Sequence, residues 1–300
     1  GIGTLAADFG AAAPSTPRVV LSLTSCPPNA DTGQARQCQD DGVGIVKYFD
    51  GKEWRELHDA GWKANVVKME VNWASGGTAA PSVVVALQNG AVEFYDGAGP
   101  WKELRFQNGF TVSCFHVRWK DGASEPQLVL GYLGAYRKKI VGPNKFELFG
   151  LVDYYDGKDW AWWHKTIPWD AHDVGIHDCS VDLQGTEPKV VLGVQTMNEG
   201  GSQGKAGGIW HFNGAKWEML MFMRASKGYP YSLSANWPQD DDASKVPQVV
   251  SLWSRTGVFY LDDTTRETDP QPGQGFIGIC GGKLEFQSLE DLSVAWHAPA

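Results

Sequence analysis

The stretch VVKMEVNWASGGTAAPSVVVALQNGAVEFYDGAGPW, from Val66 to Trp101, decides the fold, because one whole structural unit is written in it. It opens on an alternating run that ends at Trp73, crosses a small-residue loop, and enters a second apolar run, PSVVVAL, at Pro81. Gly90 opens a third run, and Asp96-Gly97 turns the chain before Trp101. Alternation places successive side chains on opposite faces of a strand, and Asp-Gly between apolar runs is a strong short-range hairpin signal. With WKEL at Trp101 as the last strand, the stretch predicts a four-stranded antiparallel meander.

The same unit recurs along the chain. Third strands read GIVKYFD from Gly44, GAVEFYD from Gly90, GLVDYYD from Gly150, GGIWHFN from Gly207 and GVFYLDD from Gly257. Their turn residues Asp50, Asp96, Asp156, Asn213 and Asp263 lie 46, 60, 57 and 50 positions apart. That spacing suits one propeller blade per repeat. Second strands begin at Pro17, Pro81, Pro126, Pro188 and Pro247, and innermost strands end at Phe9, Trp73, Trp119, Leu183 and Trp237. Trp54, Trp101 and Trp217 open outer strands, and Trp160 opens a Trp-rich variant.

No 12-residue segment carries a helical stripe, which disfavours βαβ architectures. The expectation is an all-β, five-bladed propeller of four-stranded antiparallel blades. It forms one domain over 1–300, with blades near 1–60, 61–108, 109–168, 169–226 and 227–300. Leu292-Ser293-Val294-Ala295-Trp296 resembles a further innermost strand, so either the termini latch the ring or a sixth blade is incomplete.

Composition narrows the partners. A net charge of −9 repels phosphate backbones, and Arg137-Lys138-Lys139 is the one short basic run, so nucleic acid is not expected. No apolar stretch approaches the roughly 20 residues a membrane helix needs, so no membrane partner is expected either. The chain reads as a soluble monomer with no cofactor. Cys26 and Cys38 flank a polar loop that a disulfide could close, which favours secretion, although a cytoplasmic location stays open. Cys114, Cys179 and Cys280 sit in apolar surroundings, where a small buried hydrophobe is favoured over a nucleophile.

The inner strand ending in Trp, the Gly/Ser/Pro loop and the strand–turn–Trp sequence of Val66–Trp101 resemble a blade of the fungal fucose-binding lectins. Five-bladed lectins of the tachylectin type are similar in plan. The resemblance implies a sugar site between successive blades that uses a repeated Arg, Glu and aromatic residue. Glu93 matches the third-strand Glu once, while the corresponding positions hold Lys47, Asp153, Trp210 and Tyr260.

Aligned on their last residues, the innermost strands have one apolar phase: Leu5 and Ala7, Met69 and Val71, Phe115 and Val117, Cys179 and Val181, Leu233 and Ala235. The alternate phase holds Ala6 and Asp8; Lys68, Glu70 and Asn72; Cys114, His116 and Arg118; Asp178, Ser180 and Asp182; and Ser232, Ser234 and Asn236. Strand alternation assigns this mixed set to one face, taken to look into a central channel. Its asymmetry favours a single site on a small molecule or glycan.

Glu70 and Asp178 could divide acid and base work in glycoside hydrolysis. His116 could instead abstract a proton while Lys68 and Arg118 neutralise a substrate carboxylate in an elimination. Glu70, His116 and Asp178 are therefore the catalytic candidates. Lys68, Asn72, Arg118, Asp182, Trp162, Trp163 and Trp169 are the binding candidates, the tryptophans as stacking faces. His172, Asp173, His177 and Asp178 match no metal-ligand spacing, and no metal is expected. The leading expectation is an enzyme of glycoside hydrolase or lyase type. A non-catalytic lectin and a protein-interaction scaffold are the alternatives, and inward charges that merely pair with one another are the plain structural reading.

Overall fold

The computed structural model describes residues 2–8, 17–25, 43–57, 61–73, 80–106, 110–120, 123–137, 146–162, 174–185, 187–197, 205–223, 228–238, 245–253 and 257–261. Within them all regular structure is β. The first sheet runs β1 (Ile2–Asp8), β2 (Arg18–Ser25), β3 (Val43–Phe49) and β4 (Trp54–Glu56). The second runs β5 (Val66–Asn72), β6 (Ser82–Leu87), β7 (Ala91–Tyr95) and β8 (Lys102–Phe106).

The third sheet comprises β9 (Phe110–Arg118), β10 (Gln127–Arg137), β11 (Phe146–Tyr155) and β12 (Trp160–Trp162). The fourth comprises β13 (Val174–Asp182), β14 (Lys189–Met197), β15 (Lys205–Phe212) and β16 (Trp217–Met223). The fifth has three described strands, β17 (Pro230–Asn236), β18 (Gln248–Trp253) and β19 (Gly257–Leu261). In every sheet the strands neighbour one another in chain order, so each is a meander and the five follow the blade pattern of a β-propeller. No helix among the described residues is long and apolar enough to cross a membrane.

The chain divides into two compact units, Gly1–Val112 with Trp119–Gln127, and Ser113–Arg118 with Leu128–Ala300. In the first, β1 lies beside β5. In the second, β13 lies beside β17.

The turns explain why the repeat is so legible. Asp50 Oδ1 accepts from the amides of Lys52 (2.9 Å) and Glu53 (3.0 Å). Asp96 does the same for Ala98 (2.8 Å) and Gly99 (2.7 Å), and Asp156 for Lys158 and Asp159, both at 2.8 Å. Asn213 accepts from Ala215 and Lys216 at 3.0 Å. The Asp or Asn thus caps a local turn through its own side chain. The following residue needs positive φ, and Gly51, Gly97, Gly157 and Gly214 supply it at 96°, 94°, 99° and 94°. The backbone amides that Asp50 and Asp96 hold keep both carboxyls below the ordinary carboxylate range.

Across each such turn an aromatic of the third strand meets a Trp. Phe49–Trp54, Tyr95–Trp101, Tyr155–Trp160 and Phe212–Trp217 have ring centroids 5.2, 5.3, 4.9 and 5.1 Å apart. These contacts assign Trp160 to the hairpin, in line with its placement as an outer-strand opener.

The second strands are apolar without alternation because both of their faces are covered. Val83, Val84, Val85, Ala86 and Leu87 are all buried, as are Val190, Val191 and Leu192. Burial on both sides removes the polar half of the strand pattern. One slip from the sequence alignment occurs in the fifth repeat. Glu93 faces Val85 of β6, and Phe259 occupies the corresponding place opposite Ser251, so Phe259 and not Tyr260 is the counterpart of Glu93.

Candidate functional site

An innermost strand is the last strand of its sheet on one side, so its outer row of N–H and C=O groups needs partners from elsewhere. In the second unit the polar side chains supply them. Asp178 Oδ2 accepts from the Leu233 amide at 2.8 Å, and Ser180 Oγ accepts from the Ala235 amide at 3.2 Å, joining β13 to β17. His116 Nε2 lies 3.2 Å from the Cys179 carbonyl, and a carbonyl only accepts, so Nε2 carries the proton. Ser113 Oγ donates to the Ile176 carbonyl at 2.5 Å. The polar atoms of Asp178, Ser180 and His116 thus reach the neighbouring innermost strand.

Cys114 and Cys179 form a disulfide across β9 and β13, with Cα atoms 5.1 Å apart. Neither the free buried hydrophobe nor the nucleophile describes them. Gly131 makes the close packing possible, since a Cβ there would stand 2.6 Å from Cys114 Cβ and 2.9 Å from Ile176 Cγ2. Cys26, Cys38 and Cys280 lie outside the described residues, and the proposed Cys26–Cys38 bridge with them.

The first unit differs. On β5, Lys68, Glu70 and Asn72 alternate with Met69 and Val71, and the three polar side chains are exposed. The strand thus presents an ammonium, a carboxyl and a carboxamide on one open face. Burial by the surrounding protein raises Glu70 above the ordinary glutamate range, and the Lys68 ammonium partly opposes this. A second perturbed carboxyl, Glu93, faces Glu103 in the β7–β8 ladder. Burial first, and the Glu103 charge second, push Glu93 up to about 7.

The remaining candidates separate from these. Arg118, the last residue of β9, is half-buried. Asp182 Oδ1 accepts from the Gln184 amide at 2.9 Å and so closes the turn after β13. Trp162 ends β12, the outermost strand of its sheet, opposite Asp153. Trp163, Trp169, His172 and Asp173 lie outside the described residues, as does Leu292–Trp296. Among the described residues no three His, Cys, Asp or Glu side chains gather as a metal site.

Two residues that the sequence did not single out accompany His177. Gln195 Oε1 lies 2.7 Å from His177 Nε2, and the Tyr229 ring stacks on the imidazole with centroids 4.3 Å apart. Sequence spacing carries little trace of this cluster, because its members come from three strands or their flanks.

No protein-family profile matches the chain, and no curated protein matches it. Among solved structures, it is similar to Zg3597, a family 117 glycoside hydrolase produced by the marine bacterium Zobellia galactanivorans. Identity is 12%, the match covers 76% of this chain and 74% of that one, and the TM-score is 0.32. At that TM-score the likeness assigns neither an activity nor any site residue.

Proposed function

We propose that the protein is an enzyme acting on a carbohydrate or similarly polar small substrate, with Glu70 transferring the proton in a hydrolysis or elimination. The observation that carries this reading is the open polar face of β5, on which a desolvated carboxyl stands between Lys68 and Asn72. A carboxyl raised toward neutrality serves as acid or base more effectively than one fully ionised throughout the working range. Lys68 would neutralise a substrate carboxylate or a developing oxyanion, and Asn72 would orient a hydroxyl. His116, Arg118, Asp178 and Asp182 belong to the other unit, and the proposal makes no use of them.

The test is turnover of a glycan panel, read as new reducing ends or new unsaturated ends. Glu70→Gln is expected to lower kcat by about 10²-fold or more with a smaller change in KM. Product formation that Glu70→Gln leaves intact, or glycan binding with no turnover, would sink the proposal. The second outcome favours the lectin reading, for which Glu93 is the specific observation: it is a half-buried third-strand carboxyl at the one place where the lectin pattern is matched. Binding without turnover that Glu93→Gln abolishes would establish that alternative.

A further inference from the structure

Innermost strands of four sheets share an irregularity near their start. The register slips between Ile2 and Leu5 in β1, Val66 and Lys68 in β5, Ile176 and Asp178 in β13, and Pro230 and Ser232 in β17. Such a bulge adds one unpaired residue and re-aims its side chain, and bulges recur beside binding sites. The added residue is Val67 in β5, His177 in β13 and Tyr231 in β17. The scaffold repeats the bulge while the side chain it re-aims changes.

In β13 and β17 the surroundings are built to hold these side chains. Gln195 is buried, and its amide oxygen can only accept, so the neutral His177 ring has its proton on Nε2 and Nδ1 as its basic nitrogen. The Tyr229 ring lies 24° from parallel to the imidazole. The Ser113 hydroxyl braces the carbonyl of Ile176, just before the bulge.

Two glycines let the Tyr229–Pro230 segment approach. A Cβ on Gly207 would stand 2.5 Å from Tyr229 Cα, and one on Gly193 would stand 3.3 Å from the Pro230 carbonyl. The Asp178–Leu233 bond then fixes β17 against β13 just beyond. His177, Tyr229 and Tyr231 nevertheless remain half-buried.

We propose that His177, Tyr229 and Tyr231 form a binding site for a neutral polyhydroxylated ring, a sugar or a cyclitol, at the start of β13 and β17. An imidazole with a fixed tautomer and two phenols donate and accept hydrogen bonds without a permanent charge, and aromatic ring faces suit the C–H faces of such a ligand. Burial and the neighbouring Tyr229 keep the Tyr231 phenol protonated well above neutrality, so it stays a donor. The site lies wholly within the second unit and does not involve Glu70, so it stands or falls apart from the proposed turnover.

The test is saturation-transfer NMR and calorimetry of the full chain, above neutral pH, with neutral monosaccharides and inositol as probes and uronic acids as the charged comparison. At least one neutral probe should bind, and His177→Ala, Tyr229→Leu and Gly207→Ala should each weaken it about tenfold or more. Nitrogen shifts of His177 should report the Nε2–H tautomer and move toward a mixture in Gln195→Leu. Where His177→Ala fails to fold, Tyr229→Phe and His177→Gln, which keep the ring stack or the polarity, carry the test. The proposal is overturned if no neutral probe binds, if uronic acids are preferred, or if folded variants bind like the parent.

Discussion

Between β9 and β13 the slot formed by Cys114 and Cys179 is closed by a covalent bond. One strand further on, between β13 and β17, the corresponding slot holds the Asp178 carboxylate against the Leu233 amide at 2.8 Å. The positions correspond because Cys114 and Asp178 lie five residues before the strand-ending Trp119 and Leu183, and Cys179 and Leu233 lie four before Leu183 and Trp237. A second rung differs likewise, with His116 donating to the Cys179 carbonyl in one junction and Ser180 accepting from the Ala235 amide in the other. Corresponding positions thus meet in both junctions, and the chemistry that closes them differs. β5 carries Lys68 and Glu70 at these two positions, and both are exposed.

Breaking the covalent junction should have the largest effect. The disulfide spans a sequence separation of 65 residues, and removing such a cross-link costs about 4 kcal/mol in the chain-entropy account. Cys114→Ser with Cys179→Ser, or reduction of the unfolded chain before refolding, should lower the thermal midpoint by about 6 °C. The sharper experiment transplants the other junction. Cys114→Asp with Cys179→Leu places the Asp178–Leu233 chemistry in the first slot and should recover part of the loss relative to the double serine variant. If the transplanted pair is no better than serine, the two slots are not equivalent.

The hydrogen-bonded junction should respond less. Asp178→Ala leaves the Leu233 amide without its acceptor and should cost about 2 kcal/mol, while Asp178→Asn keeps an acceptor and should cost less than half of that. Denaturant midpoints at constant slope are the measurement. A catalytic role for Asp178 with no structural one would reverse this order of effects, leaving stability unchanged while activity falls.

The repeat was legible because its punctuation is local. Asp50, Asp96, Asp156 and Asn213 cap turns within three residues, and the glycines after them take a conformation that few other residues tolerate. Second strands were legible because burial on both faces leaves unbroken apolar runs. The disulfide was not, since it joins positions of opposite phase in the aligned strands, as facing surfaces of neighbouring sheets require. The bulges were hidden for a related reason. One inserted residue leaves strand composition unchanged while turning His177 and Tyr231 away from the alternation that their neighbours obey. Phe259 slipped past for want of a register, because aligning Gly257 with Gly90 shifts the fifth third-strand by one residue.

Asp178 and Glu93 form the last contrast, a carboxylate given a donor against one set opposite a second carboxyl. Glu93 faces Glu103 across the β7–β8 ladder, where the slip between Val92 and Glu93 creates the pairing. Burial and that neighbour raise it from the ordinary 4.5 to about 7. Because the unfolded chain gives up this proton near 4.5 and the folded chain near 7, the folded state binds more protons between those values. Stability should therefore decline as pH rises through that window and level off above it, the opposite of what a carboxylate with a favourable partner produces. Glu93→Gln removes the charge but keeps the shape, so it should raise the thermal midpoint above neutral pH and leave it nearly unchanged near pH 4.5. Glu103→Gln should give a smaller gain in the same direction, because burial and not the neighbouring charge is the larger cause. A gain that is the same at both pH values would show that these carboxyls do not set the pH dependence of this sheet.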